Sequence, residues 1–456
     1  METLSRTFEH SLTDLDSKHN LAHTVEIPAG TRQLDVTLDF EPALVDGFHN
    51  MVTLTLIGPS GFRGAGHRHG NRHDVRLTAT QAPPGYLAGE ITAGAWQVVI
   101  DTHLIVPGTP CSLRLQVVGQ AVETQSPSVP TRTAPRPPRA PKGAGWYRGD
   151  LHAHTVHSDA VWSAASLADD ARARGLDFVT LSDHNTTSGL AEMAEACGDD
   201  LVLVPALELT TFWGHALALG LREWVDWRIT PHQRVMPTIA EEVRARGGLF
   251  VIAHPRSIGD PHCTGCAWVH PDMQPGPARI VEVWNGPWTG ESRNEEALAQ
   301  AFVWLNAGCR LVLTAGTDHH GDPDYGPDLG FNVVMADRLT AESLLAAIRV
   351  GHLYVSSGPM LDFEAVIDAE SYVMGDSASP AKGAPIQLIA SWRDCPPDAS
   401  IVLVVDGVPA GKARAGVGST HVWGRSSGDA HWCALSVRAA DGRLLALTNP
   451  IFLDGR

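Results

Sequence analysis

The run Asp150-Leu-His-Ala-His-Thr-Val-His-Ser-Asp159 gathers three histidines and two aspartates into one short stretch. In an extended segment, residues i and i+2 project from the same face. His152 and His154 therefore aim their imidazoles at one point, with Asp159 on the loop that follows. Two neutral imidazoles and a carboxylate are ligands that Zn, Mn or Fe takes. The pair alone is a weak signal, because with 22 histidines in the chain roughly one His-x-His is expected by chance. A second pair, His67-Arg-His69, falls in a Gly/Arg-rich loop and reads as structural or solvent-facing.

The other candidate ligands follow short apolar runs. His184 comes directly after Leu176–Leu181, and Glu208 lies just past Leu201–Val204, with His215 after it. His254 follows Leu249–Ala253, while Asp318 and His320 follow Arg310–Thr314. Continuous apolar runs of this length, separated by helical stretches, read as parallel strands. Active sites of such sheets form at the C-terminal strand ends. Together, His152, His154, Asp159, His184, Glu208, His215, His254, Asp318 and His320 exceed the roughly four to six donors one ion takes. Two or three divalent ions (Zn, Mn or Fe) must share them, and Glu208 is assigned as the bridging carboxylate. Such ions lower the pKa of bound water and polarise a phosphoryl or carbonyl oxygen, so hydrolysis by a metal-bound hydroxide is the expected chemistry. Glu208, Asp159, Asp318 and His157 are the candidate catalytic groups.

Neighbouring residues carry further expectations. His157 and His319 lie within motifs but off the ligand register, where His157 would shuttle protons and His319 would orient substrate; roles behind the ligands or facing solvent are the alternative. Arg148 and Arg256 flank motif positions and would clamp an anionic oxygen, unless they are ordinary surface arginines. Asp183 points away from His184 along the chain and would orient a ligand histidine from behind.

These residues must be carried by a scaffold, and the chain divides for it. Residues 1–125 hold short strands with period-two patterning, such as Leu34–Phe40 and Val52–Ile57, between Gly/Pro turns; a small antiparallel sandwich fits. Residues 126–145 are rich in proline and arginine and read as an extended linker. From 146 to 358 apolar strands alternate with helices at Ala164–Arg174, around Gly189–Cys197, at Thr238–Arg246, Asn294–Asn306 and Ala341–Arg349. That repetition predicts an α/β unit with a closed or nearly closed barrel. Strand-like segments return in 359–456, predicting a second small β domain.

A formal charge of −17 argues against a general nucleic-acid or anionic-membrane binder. Met1 to Gly30 has no apolar core of signal-peptide type, and no window reaches the length of a membrane span. Seven scattered cysteines argue against a disulfide scaffold and for a soluble cytoplasmic protein with reduced thiols. Cys263-x-x-Cys266, flanked by His262 and His270, reads as an ordered lid loop in preference to a zinc knuckle. Trp213, Trp268, Trp284 and Trp288 would line an apolar wall or, for at least half of them, pack in the core.

Asp-Leu-His-Ala-His-Thr-x-x-Ser-Asp, Leu-Ser-Asp-His-Asn, the Glu-to-Gly-His segment, Ala-His-Pro and Gly-Thr-Asp-x-His, in that order, resemble the motifs of the PHP (polymerase and histidinol phosphatase) superfamily of metal-dependent hydrolases. The resemblance covers about Trp146 to Gly358. It implies a distorted (β/α)7 barrel with a two- or three-metal centre. Val281-Glu-Val-Trp-Asn-Gly286, the Cys263-Thr-Gly-Cys266 loop and Gly61-Phe-Arg-Gly64 resemble the carbaryl-hydrolase (CehA/McbA-type) branch. Ala160 stands where the family usually has glycine, which would shift Asp159 slightly. The superfamily implies a small-molecule phosphoesterase, which is the first expectation; the branch implies the alternative, a carbamate or carboxylic ester hydrolase. A non-catalytic metal-binding regulatory module is the alternative of another class.

Overall fold

The computed structural model describes residues 4–122, 142–230, 234–321, 326, 328–416, 419–428 and 430–453. Most of the expected proline-rich linker lies outside the described residues, and Gly145 already opens a strand.

The N-terminal part forms two four-stranded antiparallel sheets. One is ordered Leu4–Leu12, Cys111–Gln120, Gln33–Glu41, Arg72–Thr78; the other His19–Ile27, Gly94–Leu104, Met51–Gly58, Gly61–Ala65. The alternation in the third strand explains the packing. Leu34, Val36, Leu38 and Phe40 are buried, while Asp35, Thr37 and Asp39 between them are partly exposed. Each of those apolar side chains contributes roughly 1.5–3 kcal/mol on burial. They meet Leu54, Leu56, Trp96 and Val98 of the facing sheet in one core.

The central part opens with three parallel strands, Gly145–Asp150, Phe178–Leu181 and Val202–Pro205. Helices Ala164–Ala173 and Leu190–Cys197 connect them, the first capped by Ser163, whose side chain accepts from Ser166 N. A second sheet is ordered Glu208–Thr211, Gly214–Leu219, Leu249–Ile252, Ile280–Asn285, Val312–Gly316; its last three strands pair in parallel, and Gly214–Leu219 runs antiparallel to both of its neighbours.

The expected closed (β/α)7 barrel is not formed. Glu208–Thr211 turns back on Gly214–Leu219 as a hairpin, and Phe331–Ala336 runs antiparallel beside Gly145–Asp150. Both departures break the parallel order that closure of such a barrel requires. The two sheets instead meet at isolated bridges, Ala153–His319 and His184–Glu208, at the end where the candidate ligands lie.

The hydrogen bonding does not stop at residue 358. Leu353–Ser356 pairs with Leu444–Thr448, and through it Trp432–Arg438, Ser400–Val405 and Val408–Arg414 extend the first central sheet. Ile451–Phe452 also pairs with Trp432–Arg438, and the remaining tail strands form a separate four-stranded sheet ordered Glu370–Val373, Met360–Ile367, Pro385–Arg393, Ser419–Ser426. Among the described residues no helix is long and apolar enough to cross a membrane.

Candidate metal centre

Hydrogen bonds knit the ligand-bearing loops at the strand ends. Asp150 accepts from His152 N at 3.1 Å, Thr317 N at 3.0 Å and Thr317 Oγ1 at 2.5 Å, tying the first ligand segment to the last. Burial pushes this carboxyl up to about 6, against those hydrogen bonds. Glu282 does similar work across the site. Its Oε1 lies 3.1 Å from His152 Nδ1, and its Oε2 accepts from His254 N and Asn285 Nδ2, each at 3.0 Å. A carboxylate on the far nitrogen of a ligand histidine fixes the tautomer and turns the other nitrogen toward a metal. Gly316 passes directly beneath this pair, where an added Cβ would collide with Glu282 Oε1 and His152 Cβ. His254 (φ 28°) and Asp318 (φ 52°) hold left-handed backbone, a conformation that non-glycine residues keep where surrounding structure enforces it, often at functional sites.

The side chains converge on Glu208. Its Oε2 lies 2.9 Å from His184 Nδ1, 3.2 Å from His152 Nε2 and 3.3 Å from His154 Nε2; its Oε1 lies 3.0 Å from His215 Nδ1 and 3.1 Å from His254 Nε2. Asp318 Oδ1 is 2.9 Å from His154 Nε2 and 3.3 Å from His152 Nε2. Asp159 Oδ1 is 3.2 Å from His320 Nε2 and 3.4 Å from His184 Nε2. Ligands bonded to one ion at about 2.1 Å, at tetrahedral to octahedral angles, stand roughly 3.0–3.4 Å apart, which is the spacing seen here.

Three overlapping groups have every ligand atom within 4.8 Å of the others: His154–Asp159–His184–His320, His152–His154–Glu208–Asp318 and His184–Glu208–His215. Glu208 and two histidines are shared between groups. Buried Asp159 Oδ1, Glu208 Oε2 and His215 Nε2 lack a well-aligned hydrogen bond. Leaving such atoms unmatched costs about 1–3 kcal/mol each, more when charged, so the donor set fits divalent cations.

The electrostatics of the metal-free protein report the same crowding. Burial would raise Glu208, but His184, His152 and His215 hold it well below the carboxylate range. Burial would lower His152, but Asp318, Glu282 and Glu208 push it well above the usual imidazole value. His320 is pushed up to about 10 by Asp159 and then Asp318, again against burial.

All nine candidate ligands lie here, with His254 joining through Glu208. Ala160 is buried, and Asp159 stays beside His184 and His320 despite the extra methyl. Several neighbours lie elsewhere than expected. The ring nitrogens of His157 lie 2.8 Å from Ser188 Oγ and 3.0 Å from Glu192 Oε2, facing helix Leu190–Cys197 and not the ligands. His157→Ala is therefore expected to keep kcat/KM within about threefold of wild type, because the buried ring bonds Ser188 and Glu192 and not the ligands, so its loss falls on stability; steady-state kinetics at matched metal content checks this. His319 stacks on Trp162 at 4.3 Å, and its Nδ1 accepts from Gly321 N. Arg148 lies over the Phe331 ring at 4.4 Å and donates to Arg174 O, while half-exposed Arg256 pairs with Glu296 at 3.3 Å. Neither arginine lines the cavity. Asp183 accepts from Thr155 N, Thr155 Oγ1 and Ser158 Oγ at 2.7–2.8 Å, so it pins the loop between His154 and Asp159 and does not orient a histidine.

Sequence reasoning missed Glu282 and His67. Glu282 was legible as a lone acid inside the apolar run Ile280–Val283. His67, expected to be structural or solvent-facing, is buried with its ring 4.6 Å from that of His184, and His69 sits at the mouth of the same cavity. Burial, then His184 and His103, lower His67 well below the usual imidazole value.

The cavity above the ligands measures about 350 Å³. Its outer wall comes from Met51 of the N-terminal sandwich, from Phe48 in the short hairpin just before it, and from Pro261, Cys263 and Cys266. Cys263 and Cys266, with Cα atoms 5.5 Å apart, form a disulfide. Their sulfurs are bonded to each other, so they do not make a zinc pair. The expectation of wholly reduced thiols fails at this loop, where the spacing suits a disulfide; the other five cysteines are unpaired. Trp268, Trp284 and Trp288 are buried in the central core with Trp213 against it, the core packing expected for at least half of them, and none of the four lines the cavity.

Comparisons with known proteins place this geometry in context. No family model matches the chain. An uncharacterized protein of Methanocaldococcus jannaschii is 27% identical over 124 residues, which span 24% of this chain and 68% of that protein. Among solved structures, the chain is similar to a two-domain protein of Bacteroides vulgatus described as containing a predicted PHP-like metal-dependent phosphoesterase (15% identity, 71% of this chain, 100% of that chain, TM-score 0.40). It is also similar to an amidohydrolase from Chromobacterium violaceum (17% identity, 40% of this chain, 89% of that chain, TM-score 0.26).

Proposed function

We propose that the protein is a metal-dependent hydrolase of a small-molecule ester, holding two or three divalent ions in the cluster centred on Glu208. The observation that carries this reading is the convergence of buried imidazole and carboxylate atoms at ligand–ligand spacing around one shared carboxylate. When bound, such ions make water nucleophilic near neutral pH and polarise the ester oxygen. The protein's own part is to hold the donors rigid through Asp150 and Glu282, to exclude bulk water beneath the sandwich, and to seat the substrate in a cavity of small-molecule size.

For the ester itself we infer an uncharged carboxylic or carbamic ester, ahead of a phosphoester. Among the described residues, no lysine or arginine lines the cavity, so a phosphate dianion would have only the ions to neutralise it. The mouth offers Phe48, Met51 and Pro261 to an apolar alkyl or aryl group. This accords with the carbaryl-hydrolase resemblance. The phosphoester reading keeps support from the shared multi-ion donor set, which suits a clamp on both oxygens of a displacement.

The two separate in one assay of metal-loaded protein. With 1-naphthyl methylcarbamate and 4-nitrophenyl phosphate side by side, kcat/KM is expected to favour the carbamate by at least about tenfold, the worth of one unmatched charge contact. A preference for the phosphate reverses the order. Hydrolysis of neither, nor of a panel of simple esters, favours a non-catalytic metal-binding module.

A further inference from the structure

The N-terminal sandwich reaches into the candidate site. His67 lies two residues past the strand Gly61–Ala65. Its ring is 7% exposed and lines the same cavity as Asp159, His184, His215 and His254. It sits 4.6 Å from His184, tilted by 51°, with the edge of His103 4.8 Å behind it. His103 is itself held, with Nε2 3.0 Å from Thr53 Oγ1 and its ring against Phe212.

Gly85 ties the segment that carries His67 to the ligand loop. Gly85 O accepts from Ala65 N at 3.0 Å and from Thr186 Oγ1 at 2.8 Å. Ala65 is two residues before His67, and Thr186 is two residues after the ligand His184. Gly85 N in turn donates to Ser188 Oγ, in the same loop as Thr186, at 3.0 Å. The sandwich is thus latched to the ligand loop at the point where it offers a histidine.

His67 belongs to none of the three ligand groups, and its buried Nδ1 has no hydrogen-bond partner among the described residues. His67 nonetheless lines the cavity beside the metal-ligand cluster, and no hydrogen bond within the described residues commits its ring to another partner, so a polar group of a bound ligand is free to engage it. In either protonation state an imidazole presents at least one N–H.

We propose that His67 is a substrate-positioning residue supplied by the N-terminal sandwich, donating a hydrogen bond to an oxygen of the ester bound over the Glu208 cluster. This rests on the hydrolase reading for the identity of the ligand. It makes the sandwich part of the active site: the central unit holds the donors, and the sandwich grips the substrate from above.

The test uses the full-length, metal-loaded protein and phenylphosphonate, whose tetrahedral oxygens and aryl group mimic an ester under attack. His67→Phe keeps a ring against His184 and removes the donor; His67→Gln keeps an N–H donor. Calorimetry is expected to show Kd for phenylphosphonate raised roughly three- to tenfold in His67→Phe, the worth of one hydrogen bond. His67→Gln should stay within about twofold of wild type, because it retains the donor. Bound metal and melting midpoint should be unchanged in both. Equal Kd values for wild type and His67→Phe overturn the proposal. So do failure of wild type to bind phenylphosphonate, a Gln variant as weak as the Phe variant, or a loss of metal in proportion to the loss of affinity. If the wild type hydrolyses no ester yet its phosphonate affinity depends on His67, the hydrolase reading falls and the His67 contact stands.

Discussion

Glu208→Gln is expected to remove hydrolysis and most of the bound metal while leaving the chain folded. Glutamine preserves volume but replaces a charged, four-lone-pair acceptor with an amide whose NH₂ faces imidazole nitrogens. Five histidine nitrogens lie within 3.3 Å of the two Glu208 oxygens, so no rotation of the amide satisfies both sides. Replacing a group one step behind a metal ligand costs about 10–100-fold in affinity or activity. Loss of a shared ligand should exceed the upper end of that range. Metal analysis and kcat/KM measured on the same preparation check both effects, and full activity in a metal-free variant would refute the assignment.

Removing the ions should destabilise the protein, and the effect should grow with pH. In the metal-free protein, burial opposes but neighbouring carboxylates raise His152, His184, His254 and His320, the last to about 10. Groups raised above their unfolded value of about 6.5 contribute stability that is fully present below that pH and lost as pH rises through the folded value. In the metal-free protein, the positive charges that neutralise Glu208, Asp159 and Asp318 are therefore present at pH 6 and progressively lost toward pH 10. Metal binding has the opposite dependence, because ions bind the neutral imidazoles and displace those protons. Each ion held at a thousandfold excess over its Kd stabilises by about 4 kcal/mol. A chelator should lower Tm by roughly 10 °C at pH 8.5 and by much less at pH 6. Melting curves with and without chelator across that range check the sign, and a larger drop at pH 6 would contradict it.

His152 and His154 were legible from their spacing, and His184, Glu208, His254 and Asp318 because each stands just past an apolar run, where local pattern and chemistry coincide. The barrel was not, because closure depends on strand direction. Nothing local in Phe331–Ala336 says that it runs antiparallel to Gly145–Asp150. Arg148 shows the limit of parity. It shares the even register of His152 and His154, but four residues along a strand is about 13 Å, and it packs at the other end on Phe331. His157 fails differently, since the chain has left the strand and turns under the bonds from Thr155 and Ser158 to Asp183. His67 was the hardest to read. Its loop looks like exposed punctuation until the sandwich docks, and the contact that docks it, Gly85 with Thr186, joins residues 101 positions apart. The Cys263–Cys266 loop was readable as a cover for the pocket, though not as a disulfide.

The central claim is that these donors hold a shared metal cluster, and crystallographic anomalous scattering from protein purified without chelator tests it most directly. At least two anomalous peaks are expected, each about 2.0–2.2 Å from its ligands, with Glu208 bonded to both. A protein that hydrolyses esters with no peak among His152, His154, Glu208 and Asp318, or with all its metal bound elsewhere, would contradict it.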